Sequence, residues 1–540
     1  MTGVHHDDEG DRLMQAMRRV ATFSCGRVAV VLIMCPVCVT AASEAPTSGA
    51  ALRVPTGQRQ LFLDDHCIAK RVRLERTMHQ PSKKGAVIRP VPNGEGPSCI
   101  QIRTAPIWDP QAKVWKYWDL ATPKELHARK LYCSGYYESP DGLGWTRPVV
   151  RQVEYRGSRE NNYVFVRARD GRYLRTDCVV YDPTDPDASR RFKTAIPRNG
   201  FAVSPDGVRW KMLDVPGVPS SDEFNFSFDV HGHLFILTVK HGGPHGRAVH
   251  LSTSKDFEHW TKPVLIFHAD DLDQKLGRET IRARFADPTL HPPRYNDPKV
   301  YNVDVYNMGV FRYEGLYIGI PAMYHATGPV PNYPNTVGFH VLQLTCSRDL
   351  KTWKRLGDRK PFIGPSRIGS GAYDLTQILP PSYPILRTAE TSLSGQDELW
   401  FYYTGIKYRG TFKYVGKFPK GEYVPLPGLD CDQGGVCLAV LRRDGFISLD
   451  AGEQEGVLIT KTLVTSGEKL FVNVDAPDGW IRADVLDGDG KAVACSERLT
   501  GDHTRAELKW KGQSPGLSKG QAVSLRFTLK NARFYAFWVE

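Results

Sequence analysis

Seven residues, "SPDGLGW" at 139–145, return as "SPDGVRW" at 204–210, "SKDFEHW" at 254–260 and "SRDLKTW" at 347–353. A turn alone has no reason to recur with a tryptophan at a fixed offset, so the chain is built from repeats and each copy marks one unit. In every copy the aspartate is placed to bond the turn's backbone amides, and the tryptophan to fold back onto the preceding strand. A fifth copy, "RRDGFISL" at 442–449, is degenerate: Arg442 replaces the serine and Leu449 the tryptophan.

Before the tips run strand–turn–strand patterns rich in aromatics, such as "APIWDPQAKVWKYWDL", "NFSFDVHGHLFILTV" and "YNMGVFRYEGLYIGI". Asp109 and Asp182, in the "WDP" and "YDP" turns, cap their own strands. Adding the strands that meet at the tip gives four per unit, and five units of about 50 to 95 residues predict a five-bladed β-propeller over 58–449. A two-sheet sandwich would not explain the fixed tip. Beyond Asp450 the tip pattern stops, and alternating strands around "DGDG" predict a β-sandwich domain over 450–540. The expected fold class is all-β, which suits a chain with 23 Phe, 23 Tyr, 49 Gly and 38 Pro.

The first 42 residues differ from the rest. Arg18, Arg19 and Arg27 precede "VAVVLIMCPVCVTAA", a run of signal-peptide length that ends in small residues. We expect a signal peptide here, with an uncleaved anchor as the alternative, then a linker over 43–57, and thus an exported protein. No later segment is apolar long enough to cross a bilayer. The charges of the leader cancel, so the net charge of +12 belongs to the remainder and suits an anionic glycan, sulfated or uronic. The densest basic cluster, Arg167, Arg169, Arg172 and Arg175, alternates as a solvated strand would. Nothing matches a nucleic-acid-binding motif. Cys25, Cys35 and Cys38 lie in the leader, and the other eight cysteines form no C-x-x-C pair, so no metal site is expected, and no P-loop or H-E-x-x-H motif calls for a cofactor. Cys431 and Cys437 could close a disulfide or remain buried thiols.

In a propeller the first strand of each blade lines the central channel, so polar residues at those strand starts should converge. They are Arg103 and Thr104 in blade one, Asp177 in blade two, and Asp222, Glu223 and Asn225 in blade three. Blade four offers Asp304 and Asn307, blade five Asp374 and Gln377, and Asn161 and Asn162 precede blade two. Several carboxylates aimed at one cavity repel one another unless chemistry uses them, and paired carboxylates are what glycoside hydrolysis needs. Arg103, Asn162, Asn225, Asn307 and Gln377 would bind substrate hydroxyls. Neighbours on an extended strand face opposite ways, so one of Asp222 and Glu223 should be functional; Glu223 is the choice, its pKa raised by burial and by Asp177 and Asp304. The alternative is a propeller that binds glycans without turning them over.

The tips, the opening "RQLFLDDHCIAKRVRLERTMHQPSKK" and the strand "DELWFYYTG" resemble the five-bladed propeller glycosidases related to glycoside hydrolase families 32 and 43, in their bacterial exported form. The resemblance covers roughly residues 58 to 450 and implies an accessory β domain after it. It also implies that Asp177 is the second-blade aspartate that tunes the site and Glu223 the acid. The sequence departs from the family in blade one, where Arg103 and Thr104 stand in place of an aspartate. Asp64 or Asp65 would then supply that carboxylate.

Overall fold

The computed structural model describes residues 51–91, 97–120, 122–176, 178–429, 431–512, 517 and 520–540. Its strands form five sheets of four or five strands each, a larger network of twelve, and two short hairpins. Blade one is Ile107–Asp109, Val114–Trp118, Ser134–Ser139 and Tyr163–Val164, each antiparallel to the next. Blade two runs Val179–Tyr181, Phe192–Ile196, Gly200–Ser204 and Lys211–Met212, and blade three Phe224–Asp229, Leu234–Gly243, Gly246–Ser254 and Val264–Phe267. Blade four is Asn302–Tyr313, Leu316–Pro329, Thr345–Ser347 and Lys354–Arg355, with Thr336–Leu342 added to its second strand. Blade five is Gln377–Leu379, Glu398–Ile406 and Gly434–Arg442, and its outermost strand is Ser82–Ile88 from the other end of the chain. This is the expected five-bladed arrangement. Blade five owes its outer strand to the N-terminal side, which locks the ring and covers a strand edge.

The tips form as their residues dictate. In blade one, Asp141 Oδ1 accepts from the amides of Leu143 (2.8 Å) and Gly144 (2.9 Å), Ser139 Oγ accepts from the Gly142 amide (2.8 Å), and Trp145 Nε1 donates to the Gly142 carbonyl. The same bonds recur around Asp206, Asp256 and Asp349. The residue after the aspartate is left-handed in all four: Gly142 (φ 83°), Gly207 (76°), Phe257 (66°) and Leu350 (63°). Two blades meet this demand with glycine, whereas two hold a large apolar residue there at a conformational cost. Three of the four tryptophans also reach a neighbouring blade. Trp145 lies edge-on to Tyr402 of blade five, Trp210 to Trp118 of blade one, and Trp260 stacks on Phe201 of blade two at 4.5 Å. The tips therefore join neighbouring blades as well as closing hairpins.

The fifth, degenerate copy has a different task. Asp444 is fully buried; it pairs with Arg59 (2.5 Å) and accepts from Tyr313 Oη (2.7 Å) and Asn473 Nδ2 (2.9 Å). Leu449 lies in Ile447–Ala451, a strand of the twelve-stranded network. That network departs from the expected separate sandwich. It also contains Leu52–Arg53, Gln60–Leu61, Ile68–Val72 and Glu75–Met78, so residues 60–78 pair with the C-terminal strands although their sequence position put them in the propeller. One apolar cluster runs from Ile318 and Phe401 of blades four and five through Phe446 to Phe534 and Phe62, so the two regions share a core.

The sequence reading also missed a helix, Asp271–Ala286, between blades three and four; Asp270 and Asp273 close its first turn as a capping box. No helix among the described residues is long and apolar enough to cross a membrane. The leader and linker up to residue 50 lie outside the described residues. Cys437 is a free, buried thiol, so the 431–437 disulfide is not formed.

Candidate functional site

The chain enters blade one through an irregular segment that carries Arg103. Its neighbour Thr104 donates to the Val179 carbonyl of blade two (2.7 Å), and the Arg103 carbonyl accepts from Asn225 Nδ2 (2.9 Å) and Ser382 Oγ (2.6 Å). Three blades thus fix the Arg103 backbone at their common centre. Its guanidinium, 2% exposed, grips Glu223 with two parallel bonds, one of them Nη2 to Oε1 at 2.8 Å. This pair borders a cavity of about 120 Å³ lined by Gln101, Tyr306, Asn335, Gln377, Arg409 and others. Glu223 is the one carboxylate in that lining among the described residues.

The expected convergence of carboxylates is therefore only partly met, because each neighbour is held by a cation. Asp222 pairs with Lys240, Asp304 with Arg247 (2.9 Å), and Asp374 with Lys83 (2.7 Å) while accepting from Tyr403 Oη (2.9 Å). None of these pairs lines the cavity. Asp177 lies outside the described residues. Asp64 and Asp65 sit in the turn before Ile68–Val72, paired with Arg348 and Arg76; neither lines the cavity, so the first-blade gap is not filled from there.

The charge state of Glu223 also differs from expectation. Burial pushes its carboxyl up, but the Arg103 guanidinium, as charge and as donor, outweighs burial and holds it below its ordinary value. Glu223 is thus an ionised carboxylate, suited to attack or to take a proton and unsuited to donate one in this state. The sequence presents Arg103 as a hydroxyl binder and does not reveal its ion pair with Glu223, which sets this charge state.

Among the expected binding residues, Arg103 and Gln377 line the cavity. Asn225 is spent on the backbone of Arg103 and on Asn307, whose Nδ2 it accepts at 3.0 Å. Asn162 donates to the Tyr136 carbonyl, and Asn161 to that of Val153, both inside blade one.

Four residues central to the site escaped the sequence reading. Tyr306 faces the cavity because the ladder of blade four slips between Val305 and Met308, a bulge that frees Tyr306 and Asn307 from pairing. Around its ring stand Lys240 Nζ at 3.9 Å and the guanidinium carbons of Arg409 and Arg247 at 5.6 and 5.7 Å. Burial pulls the Lys240 ammonium below its ordinary value against the pull of Asp222. Lys240 and Arg247 flank the turn between the second and third strands of blade three, and Arg409 lies just past the second strand of blade five, whereas the expectation from sequence rests on first strands alone. The signal was there: long basic side chains at these positions in blades three and five.

Behind Tyr306 lies His340, buried at 4.8 Å with both ring nitrogens unpartnered and its pKa pushed far down by burial. A second, open hollow on blade two holds Arg169 and Arg172, paired with Asp214 and Asp170 as a solvated surface would be.

Fold and site define a five-bladed β-propeller with one ion-paired carboxylate at a basic axial cavity. No family model matches the sequence, and no curated protein matches it. Solved structures with a similar arrangement include an N-acetylgalactosamine deacetylase from F. plautii in complex with blood group B trisaccharide (13% identity, 69% of this chain and 97% of that one, TM-score 0.37). Others are a family 32 β-fructofuranosidase from Bombyx mori (10%, 85% and 94%, 0.33) and a family 43 arabinoxylan arabinofuranohydrolase from Bacillus subtilis (11%, 84% and 99%, 0.32).

Proposed function

We propose that this protein is exported and hydrolyses a glycosidic bond of a poly- or oligosaccharide bound in the axial cavity. The observation that carries this reading is Glu223, an ionised carboxylate fixed by Arg103 beside Tyr306 and the amides of Gln101 and Gln377. Amides bind sugar hydroxyls, an aromatic ring packs on a sugar face, and a positioned carboxylate attacks the anomeric carbon or activates water. In this proposal Glu223 is nucleophile or base, and Asp177 of blade two is the second carboxylate that the reaction requires. The leader supports export, and the charge of +12 favours an anionic glycan.

A second reading, glycan binding without turnover, is favoured by the cations that neutralise Asp222, Asp304 and Asp374. One experiment separates the two: incubate the purified chain and its Glu223→Gln variant with plant and algal polysaccharides, then measure released reducing ends and retained binding. Hydrolysis predicts sugar release that the variant loses by about 100- to 10,000-fold. Binding with no release by either protein would establish the second reading.

A further inference from the structure

The charges around Tyr306 do not balance. Arg103, Lys240 and Arg247 each have a carboxylate, Glu223, Asp222 and Asp304, but none of the ion pairs among the described residues includes Arg409. Arg409 lines the cavity just past the end of Glu398–Ile406, and its Nε is buried with no hydrogen-bond partner. Its guanidinium carbon lies 4.7 Å from the Tyr324 ring, and that of Arg247 5.1 Å from the same ring, so two like charges are held against one aromatic with a single carboxylate between them. Removing a guanidinium from water without a counter-charge is costly, and Arg409, held by the Tyr324 hydroxyl and by the Tyr306 and Tyr324 rings, keeps its charge available to an anion that enters the cavity.

The adjacent wall supplies further donors. Asn335 lines the same cavity, and its Oδ1 is used up by Arg247 Nη2 (3.1 Å) and the Thr336 amide (2.8 Å), which leaves Nδ2 as a spare donor. A planar guanidinium with an amide beside it matches the oxygens of a carboxylate or a sulfate ester.

We propose that Arg409, with Asn335 and backed by Arg247, forms a subsite for an acidic substituent of the bound sugar, a uronic carboxylate or a sulfate ester. This rests on the carbohydrate reading of the cavity and specifies which sugars enter it. The test is calorimetric titration of the full chain with tetragalacturonic acid against its methyl ester, and with a sulfated galactose tetrasaccharide against its desulfated form. The acidic member of one pair should bind about tenfold or more tighter than its neutral partner, as a charge-assisted bond in a partly dry site implies, and the pair that shows this identifies the anion.

In Arg409→Gln that ratio should fall to about one, and Arg409→Lys should retain part of it. Because the ratio is read within one protein preparation, a loss of folding cannot imitate its collapse. Equal binding of acidic and neutral members by the unaltered chain, or a ratio unchanged in Arg409→Gln, would overturn the subsite while the carbohydrate reading stands. Failure of all four saccharides to bind would overturn both.

Discussion

The four turn tips and the axial cavity are made by the same sheets, but they satisfy their polar groups in opposite ways. At a tip the aspartate finds its donors two and three residues ahead, so the structure closes on itself wherever the seven residues occur. At the cavity Glu223 finds its partner 120 positions away, and Asp304 finds Arg247 57 positions away. A tip should therefore fail locally and mildly, whereas a cavity residue, once removed, strands a buried charge contributed by another blade.

The sharpest test of this contrast is Glu223→Gln, which takes the Glu223 charge away from the nearly inaccessible Arg103 guanidinium. We expect a loss of about 3–5 kcal/mol in denaturant unfolding, with most of it regained in the double variant Arg103→Met/Glu223→Gln. Equal destabilisation by single and double variants would show that the pair is no more coupled than a tip.

The two regions should also differ in their response to pH. Burial depresses the His325 pKa to about 4 and pushes that of His340 well below its ordinary value, so both stay neutral in the fold while the unfolded chain takes up protons below about 6.5. The unfolded state then binds more protons, and stability falls as pH drops from about 6.5 towards 4, by about 3 kcal/mol for His325 alone. At the tips, the amides of Thr352 and Lys351 hold the Asp349 carboxyl at about 2 against burial, so that bonding should persist throughout this range. His340→Phe, which abandons no hydrogen bond, should raise Tm more at pH 5 than at pH 8; an equal change at both would refute the neutral-imidazole account.

Smaller effects belong to the tips. Gly207→Ala combines a left-handed backbone with a methyl group driven into the Trp118 ring, and should cost about 2–3 kcal/mol in a thermal melt. Asp349→Asn keeps the shape but weakens the charge-assisted amide bonds, for about 1 kcal/mol. A cost at Asp349 as large as at Glu223 would dissolve the distinction between the two regions.

These differences explain what could be read in advance. The tips, and with them the number of blades, were legible because each is encoded within seven residues and repeats. Asp109 shows the same locality, bonding the amides of Gln111 and Ala112 as its "WDP" turn requires. Arg103 and Glu223 were both singled out, but from opposite reasoning: one as a binder of hydroxyls and one as a proton donor. Their mutual ion pair, which changes the role of each, depends on how blades one and three are brought together. Asp444 looked like a worn tip and is instead the joint to the N- and C-terminal strands.

By itself, then, the sequence determined that this is an all-β chain of five repeated blades, because hydrophobic alternation and turn chemistry act between near neighbours. Tertiary structure alone decided the rest. It paired residues 52–78 with the last strands, bulged the first strand of blade four to expose Tyr306, and assigned a cation to each of Glu223, Asp222, Asp304 and Asp374. Among the described residues, it left Arg409 outside every ion pair. Charges interact through space and are weighted by burial, and neither the distance between blades nor the exclusion of water can be computed from the spacing of residues along the chain.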